Sequence, residues 1–154
     1  SRIAAEVCGA SGKAYLTGVA AGYEVMERMA ADFIPTLMAR GFHSGPVFGI
    51  FGAAVAAAKV LGYSEDQINS VIAMCASLAA GNLEAGRCGG MQLREGAASR
   101  NAMLAVSLAH PGHVGGETVL EGDAGFYHAY VGNNRGILTH SFTGDTRTSL
   151  DKIT

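Results

Sequence analysis

The chain has 154 residues, of which 49% are apolar and 16% charged, and its formal net charge is −2. This length fits one ordinary domain. The charged fraction lies well below the roughly 25% of an average soluble domain, so we expect another protein surface to cover part of this domain. The 11 basic residues are scattered with no two adjacent, which argues against the clustered basic stripe of a nucleic-acid-binding protein.

The first predicted helix runs from about Gly12 to Asp32. Ser11 is its expected N-cap, because a serine hydroxyl accepts a hydrogen bond from a free amide of the first turn. Apolar residues recur on one stripe of this segment, and Glu24 and Arg28 on the other face have the i,i+4 spacing of an ion pair. The pattern is typical of an amphipathic helix.

A loop is predicted next, because Pro35 and the Gly41–Pro46 stretch interrupt the helical pattern. A second helix is predicted from Val47 to Leu61. It is apolar all round, which predicts burial on every side. The run is also shorter than the ~20 residues that cross a bilayer, so no membrane span is expected.

A third helix is predicted after Ser64, which forms a capping-box pattern with Gln67. The glycine-rich stretch 81–90 is predicted to be a loop, and a fourth helix is expected from about Glu95 to Ala109. Strand signals are weak throughout. The sequence therefore predicts a mainly α fold, with residues 1–114 in a helical domain and residues 115–154 as an irregular connector that leaves it.

Three cysteines, Cys8, Cys75 and Cys88, form no paired spacing, and Cys75 falls on the apolar face of a predicted helix. This usage indicates free thiols in a reducing compartment. We expect the cytoplasm, or an organelle matrix if a targeting segment precedes Ser1.

The sequence has no phosphate-binding glycine loop, no Gly-x-Ser-x-Gly nucleophile elbow and no His-Glu-x-x-His zinc-binding motif. His110 and His113 straddle a proline and a glycine at a helix end, so a surface turn is favoured over a metal pair. His43 lies in a glycine-flanked loop that leads into the apolar helix, a setting that offers helix-end amides to an anion. The residues alone favour a structural histidine there.

Arginine side chains lie around the 81–90 loop, namely Arg87, Arg94 and Arg100. A guanidinium there could form two parallel hydrogen bonds to a substrate carboxylate. Solvated or ion-paired arginines are the favoured interpretation from the residues alone.

Several segments taken in order resemble the 2-methylcitrate dehydratase (MmgE/PrpD) family along nearly the whole chain. They are Ala21-Gly22-Tyr23-Glu24-Val25, Arg40-Gly41-Phe42-His43-Ser44, Phe48-Gly49-Ile50-Phe51-Gly52-Ala53-Ala54, Ala58-Lys59-Val60-Leu61-Gly62, Gly96-Ala97-Ala98-Ser99-Arg100-Asn101 and Thr118-Val119-Leu120-Glu121-Gly122-Asp123-Ala124-Gly125-Phe126. The resemblance implies part of the large helical domain of a metal-free, cofactor-free lyase, with the connector leading toward an α+β lid.

The resemblance further implies proton removal next to a carboxylate of a small polycarboxylate, which needs a positioned base and cations. It assigns His43 as the catalytic residue and Arg94 and Ser44 as substrate contacts. Relatives dehydrate 2-methylcitrate, decarboxylate cis-aconitate or epimerise an iminodicarboxylate. The family commonly has a Lys-x-Leu-His-x-Gly segment, and this chain has Met91 in place of the lysine and Arg94 in place of the histidine. The loss of the lysine puts citrate-type dehydration in doubt.

Three functions therefore remain open: a dehydratase-like lyase, an epimerase, isomerase or decarboxylase on the same scaffold, and a non-catalytic assembly module with a decayed site. Family members are much longer, so a fragment or short member is expected. The resemblance implies a homodimer, and the apolar surface of such a piece is expected to be covered by that partner or by a companion chain.

Overall fold

The computed structural model of the chain describes residues 1–132, which form seven α-helices and no β-sheet. A 3-10 turn at Glu84–Arg87 lies between the fifth and sixth helices. The mainly α prediction is confirmed. The helices are α1 (Arg2–Cys8), α2 (Gly12–Ala30), α3 (Ile34–Ala39), α4 (Ser44–Val60), α5 (Glu65–Leu78), α6 (Gly90–Ala109) and α7 (Phe126–Val131).

Helix α4 occupies the centre of the fold, with α2, α5 and α6 packed around it. Its side chains Phe48, Ile50 and Phe51 are almost fully buried. The sequence carries a charge in this helix only at Lys59, in the last turn, so nearly every face can lie against another helix. The predicted burial is confirmed for most of this helix, while Gly49 and Ala53 on one side are half-buried.

The α2 and α4 backbones approach each other closely where glycines face the neighbouring helix. A Cβ atom built on Gly22 would lie 2.4 Å from the Gly52 carbonyl oxygen, and one built on Gly18 would lie 2.5 Å from Val60 Cγ2. Both distances are too short for a real side chain. Glycine at these two positions therefore sets the spacing of the central helix pair.

Two predicted helix starts are confirmed in atomic detail. The Ser11 hydroxyl accepts the Ala14 N–H at 3.2 Å. At α5 the Ser64 hydroxyl accepts the Gln67 N–H at 3.3 Å, while the Gln67 side chain accepts the Ser64 N–H at 3.0 Å. All three bonds satisfy amides that have no partner within the helix.

Several predicted boundaries were wrong, and prolines explain part of the difference. Pro35 lies in the first turn of α3, a helix placed where a loop was predicted, and Pro46 lies in the first turn of α4, which begins at Ser44 rather than Val47. A first-turn residue has no intrahelical acceptor for its N–H, so proline costs nothing there. Helix α6 begins at Gly90 rather than Glu95, which places Arg94 within a helix.

Helix α7 brings aromatic rings into the core. The Phe126 ring centroid lies 5.1 Å from that of Phe51 and 5.7 Å from that of Phe48, and Tyr127 lies 4.4 Å from Phe33. The predicted domain division at residue 114 and the predicted connector toward a lid stay predictions. Residues 133–154 of that connector lie outside the described residues.

No helix in residues 1–132 combines the length and apolarity that a bilayer crossing requires. Cys75 is buried, and burial raises the pKa of its thiol to about 12, because a thiolate is poorly solvated in an apolar core. Cys8 and Cys88 are exposed and free.

Replacing Gly22 with alanine is expected to destabilise the protein by about 1–3 kcal/mol, because the new methyl group meets the α4 backbone. Gly49→Ala is the matched control: a Cβ there meets nothing within 4 Å, and alanine favours the helix by about 1 kcal/mol. Urea denaturation of both variants should give changes of opposite sign. Equal changes would contradict the close-approach role of Gly22.

The three thiols are expected to differ in reactivity. At pH 8 the Cys75 thiol stays protonated, since its pKa is raised to about 12, and the thiolate is the reactive form. Titration of the native protein with an aromatic disulfide reagent should modify Cys8 and Cys88 quickly and Cys75 only after denaturation. Fast modification of all three thiols would show that the core around Cys75 opens readily.

Candidate functional site

His43 lies where two loops run side by side at the start of α4. Its backbone N–H donates to the Gly81 carbonyl at 3.1 Å, and the Leu83 N–H donates to the Gly41 carbonyl at 2.8 Å. These bonds form an isolated antiparallel bridge between the two loops. The loop before α4 and the loop before α6 are thereby held together.

The His43 side chain caps α4. Its Nδ1 atom accepts the Gly45 N–H at 3.2 Å, which satisfies one of the free amides at the helix start. A Cβ atom built on Gly45 would lie 2.9 Å from His43 Cε1, so glycine leaves the ring its place. The imidazole is about one-third exposed and remains open to solvent.

Arg94 is the one buried cation of α6. Its side chain is 8% exposed, and its Nη1 donates to the Asn82 carbonyl at 2.6 Å. A Cβ atom built on Gly86 would lie 3.6 Å from Nη2, so the guanidinium lies against the 3-10 turn. Its buried Nε has no hydrogen-bond partner. Burying a charged donor without a partner costs desolvation free energy.

Glu95 connects the two groups. Its Oε1 atom lies 3.6 Å from His43 Nδ1 and also 3.6 Å from Arg94 Nε. The carboxylate is about half exposed, at 48%. One acidic oxygen therefore lies between an accessible imidazole and a buried guanidinium, across two helices that are distant in sequence.

The structure brings two of the three predicted site residues together, because His43 and Arg94 both lie next to Glu95. Ser44, the third, is the first residue of α4 and is half-buried. Met91, at the position where the family commonly has lysine, lies in the first turn of α6 and is 46% exposed.

Sequence reasoning missed Glu95 and Asn82. Both are unremarkable in the sequence: one follows an arginine, and the other lies in a glycine-rich loop. Asn82 also accepts the Ala85 N–H on its side-chain oxygen at 2.9 Å, which shapes the 3-10 turn. A turn-forming asparagine was the only local signal.

The other predicted arginines have partners away from Arg94. Arg87 pairs with Glu84 at 3.5 Å, with both side chains well exposed, and Arg100 donates to the Asn101 side chain at 3.1 Å from Nη2. Arg87 and Arg100 are exposed and paired, as the residues alone favoured, whereas Arg94 is the buried one of these three arginines.

His110 and His113 lie in local contacts at the end of α6. The His110 ring stacks on Tyr63 with centroids 5.8 Å apart, and His113 Nδ1 lies 3.2 Å from the Leu108 carbonyl oxygen. Within residues 1–132, no three His, Cys, Asp or Glu side chains come close enough to hold a metal ion. Metal-free and cofactor-free chemistry stays a prediction.

A small cavity of about 90 Å³ lies beside Arg94, lined by three alanines together with Leu78, Gly81 and Asn101. Ligand sites usually measure about 300–1,000 Å³, so this cavity is too small for a polycarboxylate. The accessible side of the site is the rim formed by His43 and Glu95, which are both partly exposed.

Comparison with known proteins gives consistent matches. The family model of the MmgE/PrpD N-terminal domain matches residues 3–136. The chain is 35% identical over 141 residues, 90% of its length, to the cis-aconitate decarboxylase-like protein oryM of Aspergillus oryzae. It is 33% identical over 119 residues, 74% of its length, to the cis-aconitate decarboxylase of Aspergillus terreus. It spans only about a quarter of these relatives, 27% and 24%.

Removing the Arg94 guanidinium is expected to loosen the turn that it contacts. Arg94→Ala leaves the Asn82 carbonyl without its donor, a bond of the kind worth about 1.5–3 kcal/mol. Amide hydrogen exchange across residues 82–88 should therefore quicken by about tenfold or more. Arg87→Ala removes an exposed cation of the same turn and should leave exchange unchanged. Equal effects of the two variants would refute the bracing role of Arg94.

Proposed function

This chain belongs to the MmgE/PrpD family, and we propose on that basis that it forms part of a lyase for small polycarboxylates. His43 exchanges a proton with the substrate at the accessible rim. Ser44 next to it, and the positive charge of the buried Arg94 behind it, help to hold a substrate carboxylate. The observation that carries the proposal is the Glu95 carboxylate placed 3.6 Å from both an accessible imidazole and a buried guanidinium. Acid or base chemistry beside a bound carboxylate needs this kind of neighbourhood.

Decarboxylation is the favoured reaction, because the relatives reported above are named for cis-aconitate decarboxylation. When the carbon–carboxylate bond breaks, its electron pair stays on carbon, and CO2 leaves. That carbon must then take a proton. An imidazolium at the accessible rim is a suitable donor, and nearby cations stabilise the negative charge that develops.

Dehydration and epimerisation are the alternatives, because both involve removal of a proton next to a carboxylate. Met91 weighs against citrate-type dehydration. It is 46% exposed near the start of α6, and a thioether can neither hold a carboxylate nor donate a proton. Methionine at the position where the family commonly has lysine also supports a third possibility, an assembly module whose site has decayed.

The proposed partners are a small polycarboxylate and a protein surface. Large apolar side chains remain exposed, including Val7 at 79%, Leu16 at 66% and Leu93 at 74%. Exposure on this scale is typical of surfaces that other protein covers. A homodimer or a companion chain would fill this role, and we propose the cytoplasm or an organelle matrix as the compartment.

The proposal is tested with His43→Ala in the full-length protein, using cis-aconitate and 2-methylcitrate as substrates. Loss of a general acid or base typically costs about 10²–10⁴ in rate, so CO2 release from cis-aconitate should fall by that factor. His113→Ala, at an exposed turn, is the matched control and should keep wild-type turnover.

Unchanged turnover in His43→Ala would remove His43 from the mechanism. Release of water rather than CO2 by the wild-type protein would favour the dehydratase. Wild-type protein that converts neither acid and exchanges no substrate hydrogen for solvent deuterium would favour the assembly module.

A further inference from the structure

The arrangement of His43 limits where its ring can carry a proton. Because Nδ1 accepts the Gly45 N–H at 3.2 Å, a neutral ring carries its single proton on Nε2. In this state Nε2 can donate a hydrogen bond but has no lone pair with which to take a proton. The capping arrangement therefore holds the neutral imidazole in a form that cannot take a proton at Nε2.

Proton exchange at Nε2 requires a proton on Nδ1. A neutral ring that acts as a base has its proton on Nδ1 and a free lone pair on Nε2, and an imidazolium that acts as an acid has protons on both nitrogens. In either form Nδ1 is a donor and can no longer accept the Gly45 N–H. It then needs an acceptor of its own.

Glu95 supplies that acceptor. Its Oε1 lies 3.6 Å from Nδ1, so an approach of about 0.8 Å gives an ordinary hydrogen bond. Gly45 leaves space for the movement, since a Cβ atom there would lie 3.2 Å from the same oxygen. The half-exposed carboxylate has room to shift its rotamer.

Arg94 explains why the carboxylate stays at this place. Its Nε is buried without a hydrogen-bond partner and lies 3.6 Å from Glu95 Oε1. Leaving this neighbourhood would strip the buried guanidinium of its nearby counter-charge, which is costly in a poorly solvated place. Arg94 therefore restrains Glu95 within reach of the imidazole.

We propose that Glu95 is a positioning residue that accepts the Nδ1 proton of His43 and so frees Nε2 to exchange a proton with the substrate. When Nε2 takes a proton from the substrate, the ring becomes an imidazolium whose Nδ1–H donates to Glu95. When Nε2 returns a proton to carbon, the ring becomes neutral again and keeps the same bond. The proton on Nδ1 never leaves the ring, so each transfer balances. This inference takes only the identity of the substrate from the proposed function.

The pairing is tested directly by nitrogen NMR on protein with 15N-labelled histidine at pH 8, where an ordinary imidazole is neutral. Long-range 15N–1H spectra separate the two tautomers, and His43→Ala identifies the His43 signals. We expect a Nδ1–H population for His43 in the wild type and the Nε2–H tautomer alone in Glu95→Ala. The matched control Glu84→Ala removes an exposed carboxylate of the neighbouring turn and should keep the wild-type pattern.

Identical His43 tautomers in the wild type and Glu95→Ala would overturn the proposal, whatever the activity. A purely structural role for Glu95 would lower stability without changing the tautomer. In the full-length enzyme, Glu95→Ala should lower kcat by about 10²-fold with KM within about twofold, and Glu95→Asp should recover part of the loss. If the wild type converts none of the acids, the proposed function fails, while the NMR comparison still decides the role of Glu95.

Discussion

The burial of α4 on most of its surface is the constraint from which the rest of this structure follows. A helix whose single charge is at its last turn gains stability only when other helices enclose it. Its neighbours α2, α5 and α6 do so, and glycines at positions 18 and 22 let α2 come close enough to exclude solvent. The Phe126 ring of α7 packs on Phe48 and Phe51 of α4. With α4 held this way, the position of its N-terminus is determined, and His43 with it.

Polar side chains lie around the N-terminus of α4, because the rest of this helix is apolar up to Lys59. The backbone pairing of the two loops satisfies amides and carbonyls beside the buried helix. The Arg94 guanidinium bonds to a loop carbonyl from beneath, and Glu95 places its carboxylate between that cation and the imidazole. Structural and chemical roles overlap here, since His43 is a helix cap as well as the proposed proton-exchanging group.

The family membership and the geometry support different parts of the functional argument. Membership, shown over residues 3–136, is the basis of the proposed lyase chemistry on polycarboxylates. The geometry supports the choice of His43 and draws attention to Glu95, which neither composition nor resemblance indicates. The chain spans about a quarter of its relatives, so the surface that would complete a substrate pocket is proposed to come from protein beyond the residues described.

Local patterns in the sequence were sufficient for the helical class, the serine caps of α2 and α5 and the enclosure of α4, because these depend on residues within a few positions of one another. The resemblance pointed to His43 and Arg94 as candidates, and their roles stay proposals. Helix boundaries near Pro35 and Pro46 were not predictable from proline alone, since the same residue ends one helix and begins another. The entry of α7 into the core, the burial of Arg94 and the place of Glu95 were decided only by tertiary packing. His43 and Glu95 are 52 positions apart, and no local pattern records which side chains meet when α4 and α6 pack together.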